Sequence, residues 1–318
     1  MPEVETIAAA VKAAWADNAA QDGGVNASYI PALASADRSL FGVAVVTADG
    51  QVFGEGDTRA EFAMESISKI FTMALAMEEI GARAFRAKVG TDPTGMAFNS
   101  IMALELHADK PLSALVNAGA IASASLVPAA GAEERWRKIL AVQSAFAGRR
   151  LALSDDINSS EQATNFHNRA IAWLLYGAGA MYSDPMQACD VYTRQCSTLI
   201  TVTDLATMGA TLAAGGVNPL TRARVVSPGN VPRILAEMTM EGLYQSSGDW
   251  AYTVGLPGKS GVGGGLLAVA PGQLAIAAFS PPLDPFGNSV RGQLAVTQVA
   301  RELELNLYRG APSCPPGQ

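Results

Sequence analysis

The residues with the clearest capacity for chemistry are Ser66 and Lys69, in the run Ser66-Ile67-Ser68-Lys69. At positions i and i+3 of a helix, two side chains leave from one face and their heads can meet. A serine hydroxyl is a weak nucleophile until a base takes its proton, and lysine can be that base when burial draws its pKa toward neutrality. The two histidines, His107 and His167, fall in no triad or metal-binding spacing, so histidine-based catalysis is not expected. The spacing alone is weak, because composition gives on the order of one S-x-x-K match in a chain of this size. Its setting says more. Lys69 stands early in an apolar run of Ile67, Ile70, Phe71, Met73, Leu75 and Met77, where a buried ammonium costs free energy unless pairing or function offsets it. A lysine that snorkels to the surface is the plain alternative.

A second element lies far along the chain, at Lys259-Ser260-Gly261-Val262-Gly263-Gly264-Gly265. Read from Gly255 to Ser260 it looks like a phosphate loop, but the required first glycine falls on Thr253 and a strand, not a helix, follows. As a strand edge, Lys-Ser-Gly lets a backbone N–H face a cleft where an oxyanion develops. A tight turn or bulge that needs glycine is the structural alternative.

These residues need a scaffold, and the hydrophobic pattern outlines one. Val4 to Ala20 reads as an amphipathic helix on Ile7, Val11 and Trp15. A loop containing Tyr29-Ile30-Pro31 follows. Leu40 to Thr47 and Gln51 to Gly54 read as strands joined by the Asp49-Gly50 hairpin signal. Ser66 to Ile80 is helical and apolar nearly all round, the mark of a buried helix, with Gly81 at its C-terminal stop. Further helices are expected around Asn117 to Val127, Glu133 to Phe146, Ser160 to Tyr176 and Thr203 to Ala214. Trp250 to Leu256 and Leu266 to Ser280 read as β-type runs, Ser289 to Leu307 as a closing helix, and the proline-rich tail Ala311 to Gln318 as frayed. Strands at both ends with helices between predict an α+β architecture. Its central, mainly antiparallel sheet is built from both termini and carries an inserted helical lobe. We expect one catalytic unit over residues 1–318, with a sheet lobe from 1–65 and 246–318 and a helical lobe from 66–245.

Bulk properties narrow the function classes. With 49% hydrophobic and 16% charged residues the chain can bury a large core. A net charge of −7 argues against the cationic surface that nucleic acid requires, and Arg135, Arg137 and Lys138 follow Glu133 and Glu134 on a mixed-charge face. Cys189, Cys196 and Cys314 form no C-x-x-C pair, which fits a reducing cytoplasm and signals neither zinc nor a disulfide framework. The acidic N-terminus is unlike a secretory signal. The most apolar stretch, Gly263 to Ser280, is broken by Pro271 and glycines and reads as sheet rather than membrane.

An S-x-x-K on a buried helix together with a C-terminal Lys-Ser-Gly strand is the pairing found in penicilloyl-serine transferases and serine β-lactamases. The wider sequence resembles the serine-dependent glutaminases of the same β-lactamase-like fold over about Tyr29 to Gly292. The likeness is carried by Tyr29-Ile30-Pro31, Glu65 to Phe71, Pro93-Thr94-Gly95 with Phe98-Asn99-Ser100, and Asn117-Ala118-Gly119-Ala120-Ile121. It continues through Ser160-Glu161, Thr164-Asn165 and Asn168-Arg169-Ala170, Tyr192 to Ser197, Gly215 to Pro219, Val254 to Pro257, Lys259 to Gly265, and Phe279-Ser280-Pro281 with Gly287 to Val290. The resemblance implies that Ser66 is the nucleophile, Lys69 its base and Tyr244 a catalytic tyrosine, with the N–H groups of Ser66 and Val262 as oxyanion hole. It implies Tyr29, Asn117, Glu161, Asn168 and Tyr192 as contacts to L-glutamine, which would be hydrolysed to L-glutamate and ammonia. No cofactor, metal, nucleic acid or membrane is expected, and a homodimer or homotetramer is implied.

The residue types suit that substrate. A free amino acid needs one anion for its ammonium, supplied by Glu161, and neutral donors for its carboxylate, supplied by Asn117, Asn168 and Tyr192. Glu161 and Asn168 are seven apart, two turns along one helix face. Each also has a structural reading: Asn158 and Glu161 as a capping box, Asn117 as a helix cap, Tyr192 and Tyr244 as packed phenols. Glu65 departs from the family's usual glutamine and puts a carboxyl beside the nucleophile. Ala32 and the run Leu112 to Val116 depart as well. Turnover of β-lactams or other amides by the same pair, and a glutamine-binding module without turnover, remain alternatives.

Overall fold

Side-chain alternation divides the protein around one five-stranded antiparallel sheet, seen in a computed structural model that describes residues 2–107 and 110–309. The strands lie in the order Val52–Gly56, Gly42–Thr47, Leu274–Phe279, Gly265–Ala270 and Gly258–Ser260, so the first and last thirds of the chain share it. Val45 pairs with Phe53 on one side and Ile276 on the other, and Leu267 pairs with Lys259 and Ala277. Because successive side chains point to opposite faces, Val43, Val45, Leu266, Ala268, Leu274 and Ile276 pack with the helices Val4–Asn18 and Val290–Glu302. Ala44, Val46, Leu267, Val269, Ala275 and Ala277 join the larger core on the other face.

That second face is rich in small residues, and the helix Val202–Ala213 lies close against it. Gly209 permits the approach: a Cβ there would stand 2.5 Å from Leu267 Cδ1 and 2.7 Å from Ala275 Cβ. The helix Ser68–Ile80 runs through the same core with Ile70, Phe71, Met73 and Ala74 all buried, and it ends at Gly81, whose φ of 83° favours glycine. The fold class read from the sequence, an α+β architecture with an antiparallel sheet drawn from both termini, is the one found.

Three local expectations are corrected. Trp250 to Leu256 is not a strand: Ser247–Thr253 is helical, burying Trp250 and Val254 at i and i+4 while Tyr252 is 89% exposed. A strand would have placed all three on one face. The expected helix from Ser160 to Tyr176 is two helices, Asp155–Thr164 and Phe166–Gly177, parted at the buried Asn165, whose amide donates to Thr193 Oγ1 at 2.6 Å. Finally, Asn158 and Glu161 form no capping box, since that helix begins after Ser154, whose side chain accepts from the Ile157 N–H. Among the described residues no helix is long and apolar enough to cross a membrane. Cys314 and the tail Ala311 to Gln318 lie outside the described residues.

Candidate active site

The chain reaches Ser66 from the short strand Phe62–Ala63, which pairs with Thr198–Ile200. The Met64 N–H donates to the Thr198 carbonyl at 2.9 Å and fixes the start of the next turn. Glu65 then takes a left-handed φ of 50°, a conformation costing a non-glycine residue on the order of 1–3 kcal/mol and concentrated at functional sites. One 3-10 turn, Glu65–Ile67, leads into the helix Ser68–Ile80. Ser66 is thereby held at the entrance of a buried helix with Lys69 one turn behind it.

Lys69 Nζ lies 2.8 Å from Ser66 Oγ and donates to Asn117 Oδ1 at 2.7 Å. Its side chain is buried. Burial pulls its pKa down to about 8, against the opposing pull of Cys196, Glu65 and Glu161. A minor neutral fraction therefore exists near neutral pH and grows as the pH approaches 8, and its lone pair can accept the Ser66 proton. Asn117 opens the helix Asn117–Leu126 and its side chain does not cap it, being hydrogen-bonded within the site instead. Its oxygen also accepts from the Tyr192 hydroxyl at 3.2 Å, and its amide donates to Asn168 Oδ1 at 2.9 Å.

Tyr244 follows the helix Val231–Glu241 and has a left-handed φ of 56°. Gly242 makes that turn possible, since a Cβ there would sit 1.8 Å from the Gly258 carbonyl oxygen. The Tyr244 ring has Lys259 Nζ 4.2 Å and Lys69 Nζ 5.4 Å from its centroid, and the Phe98 ring at 5.0 Å. Burial drives its hydroxyl pKa upward, partly opposed by the Ser66 hydroxyl, so it remains a phenol able to give a proton. Lys259 is also buried and donates to the carbonyls of Gly242 and Ser260 at 3.0 and 2.8 Å. Burial, then the nearby Lys69, push its pKa well below the lysine range.

Val262 stands in the turn after the Gly258–Ser260 strand, packed with Ala27, Ile30 and Ala63. Close approach explains the glycines around it. A Cβ on Gly263 would lie 2.4 Å from the Ala63 carbonyl oxygen, and one on Gly261 would lie 2.8 Å from that of Met64. The turn therefore lies directly against the segment that carries Ser66.

A cavity of about 340 Å³ opens beside these groups, lined by Tyr29, Phe98, Asn99, Asn117, Glu161 and Asn168 among others. Tyr29 is half-exposed at its margin, while Tyr192 and Glu161 are buried. Burial raises the Glu161 pKa to about 8, with Lys69 and Ser197 opposing. Glu65 is raised well above the carboxylate range by burial and then by Glu161, again opposed by Lys69. A neutral Glu65 carboxyl steadies the Lys69 ammonium less than a carboxylate would. Glu65, Glu161 and Cys196 also have the donor types of a metal site, with ligand atoms within 4.8 Å of one another.

The structure brings Ser66, Lys69, Tyr244, Val262, Tyr29, Asn117, Glu161, Asn168 and Tyr192 into this region, and it gives contacts there to residues for which the sequence analysis named no part in this pocket. Phe98 packs on Tyr244, and His167 lines the cavity with Nε2 2.6 Å from the Asn99 carbonyl oxygen. Lys259 belongs beside Tyr244, a contact between distant segments that only the folded chain reveals. Cys196 sits behind Ser68 with its sulfur 3.8 Å from the hydroxyl.

A family model described as Glutaminase matches residues 24–308. A glutaminase of Brucella canis is 68% identical over 304 residues, covering 96% of this chain and 96% of the relative. A glutaminase of Mycobacterium marinum is 68% identical over 286 residues, covering 90% and 89%. Among solved structures, "Probable glutaminase ybaS" aligns with a TM-score of 0.96 at 60% identity, over 97% of this chain and 100% of that one. Mglu in its glutamate form aligns with a TM-score of 0.92 at 37% identity, over 98% and 72%.

Proposed function

Because the chain belongs to the glutaminase family and is a glutaminase, an amidohydrolase, we propose that it converts L-glutamine to L-glutamate and ammonia through an acyl-enzyme on Ser66. The observation that carries this reading is the buried contact of Lys69 Nζ with Ser66 Oγ at 2.8 Å, anchored from behind by Asn117. Lys69 takes the hydroxyl proton as Oγ attacks the side-chain carbonyl carbon. The oxyanion is held by the N–H groups of Ser66 and Val262. The C–N bond breaks, Tyr244 delivers a proton to the departing nitrogen and takes one in turn from the Lys69 ammonium, and ammonia leaves with Lys69 neutral again. Water attacks the ester, Lys69 takes its proton, and glutamate is released as Ser66 regains its hydrogen.

Glu161 receives the substrate ammonium, while Asn117, Asn168, Tyr192 and Tyr29 hold the carboxylate and the chain. The glutamate form of Mglu supports a pocket fitted to this product. The reaction needs no metal or cofactor in this scheme, and the whole chain acts as one catalytic unit. Mass spectrometry of rapidly quenched enzyme during turnover tests the route: one glutamyl group should be found on the Ser66 peptide, and an unmodified Ser66 with the adduct elsewhere would refute it.

Self-association is supported by the helix Phe166–Gly177, where Phe166, Trp173, Leu174 and Tyr176 are exposed. Such a patch usually marks an interface, and we assign it to a homodimer or homotetramer, checked by light scattering. A reducing cytoplasm is supported by the free, buried thiols of Cys189 and Cys196.

A further inference from the structure

Glu65 comes from the 3-10 turn that holds the nucleophile, and Glu161 from the helix Asp155–Thr164. They meet in the interior, with a carboxylate oxygen of each and the Cys196 sulfur within 4.8 Å of one another. Both side chains are buried, at 3% and 7% exposure. Glu65 Oε1 and Glu161 Oε2 have no hydrogen-bond partner among the described residues. The ionisable groups around the pair are Lys69 on the nucleophile helix, Cys189, Tyr192 and Cys196 on the helix Pro185–Cys196, Tyr29 just before the helix Pro31–Ala34, and Tyr244. Lys69 is the one cation in that set, and its amine is already engaged by Ser66 and Asn117.

Two carboxylates this close and this dry cannot both be ionised without a cation of their own, so an empty site keeps a proton on the pair. The α-ammonium of the substrate is such a cation. We propose that Glu65 and Glu161 share one proton in the free enzyme and that the incoming α-ammonium displaces it to solvent, making Glu65 a positioning residue that ties binding to a free amino group. The inference rests on the reading of Glu161 as the ammonium site. Charge then balances in both states: a shared proton without substrate, an ammonium with it. The raised pKa values of both carboxyls agree in direction, since each is lifted first by burial.

The test is calorimetric titration of the full chain with L-glutamate at about pH 7, in buffers of different ionisation enthalpy. About one proton should be released per glutamate bound, and the release should fade as the pH rises past the Glu161 value of about 8. The nearly isosteric Glu65→Gln should still bind glutamate but release at most a small fraction of a proton. Glutaramate, which lacks the α-ammonium, should bind the wild type without release. No release from wild type, or the same release from Glu65→Gln, overturns the proposal. Glu161→Gln separates the two levels. If it binds glutamate as tightly as wild type, the ammonium-site reading fails; if it loses binding while wild type releases no proton, the shared-proton proposal alone fails. The wild-type proton count stands even if a variant folds poorly.

Discussion

Lys69 Nζ stands 2.8 Å from Ser66 Oγ inside a core that leaves the lysine 1% exposed, so the fold carries a cation where it would gain from an apolar side chain. Such a group is retained for chemistry rather than stability. Lys69→Met should lower kcat/KM by about 10³-fold or more, within the range for loss of a general base. Its melting temperature should stay level or rise. The folded pKa of about 8 lies below the unfolded value near 10.4, so the unfolded chain binds more protons between them and this site's contribution to stability rises with pH across that window. The gain from Lys69→Met should therefore be larger at about pH 7 than at about pH 10, as read by calorimetric melting. A marked loss of stability would contradict the account.

In the proposed reading Glu161 receives the substrate ammonium, and Glu161→Gln keeps its shape while removing the charge it would carry with substrate bound. Loss of one partner of a buried charged hydrogen bond costs about 2–5 kcal/mol. The KM for glutamine should rise by about 30-fold or more, with a smaller change in kcat. Steady-state kinetics at fixed pH measures it, and an unchanged KM would remove Glu161 from the binding role.

The Val262 turn lies so close to the Ser66 segment that Gly263 has no room for a methyl group: the intruding atom is a backbone oxygen, 2.4 Å from the added Cβ. Gly263→Ala should push the turn away, lowering kcat by at least tenfold and stability by about 1–3 kcal/mol. Activity equal to wild type would show that the turn does not form the oxyanion hole.

Gly209 offers a contrast, since it packs the helix Val202–Ala213 onto the sheet and touches none of the reacting groups. Gly209→Val should destabilise by about 1–3 kcal/mol through overpacking. Turnover per folded molecule should stay within about twofold of wild type at low temperature. Chemical denaturation and active-site-normalised kinetics give the two readings.

What the sequence revealed follows from the range of each signal. The continuous apolar β-type runs in Gly265–Ala270 and Leu274–Phe279 and the apolar helix Ser68–Ile80 are local, and both were legible. Trp250 to Leu256 misled because a short apolar run fits either period, and only Tyr252 in solvent decides for helix. The break at Asn165 depends on Thr193, 28 positions away, so no periodicity could show it. In the site, Ser66 with Lys69 was readable as spacing, and the pocket residues as a charge pattern supported by family likeness. The approach of Lys259 to Tyr244, the place of His167 and the meeting of Glu65 with Glu161 exist only after distant segments pack.

The central claim is that the Ser66 oxygen forms the covalent link, and it is tested most directly by a coupled ammonia assay on wild type and Ser66→Ala, with glutamate binding measured on both. Wild type should release ammonia from glutamine, and Ser66→Ala should lose at least 10³-fold of kcat while binding glutamate with comparable affinity. Ammonia release by Ser66→Ala at the wild-type rate would contradict the account.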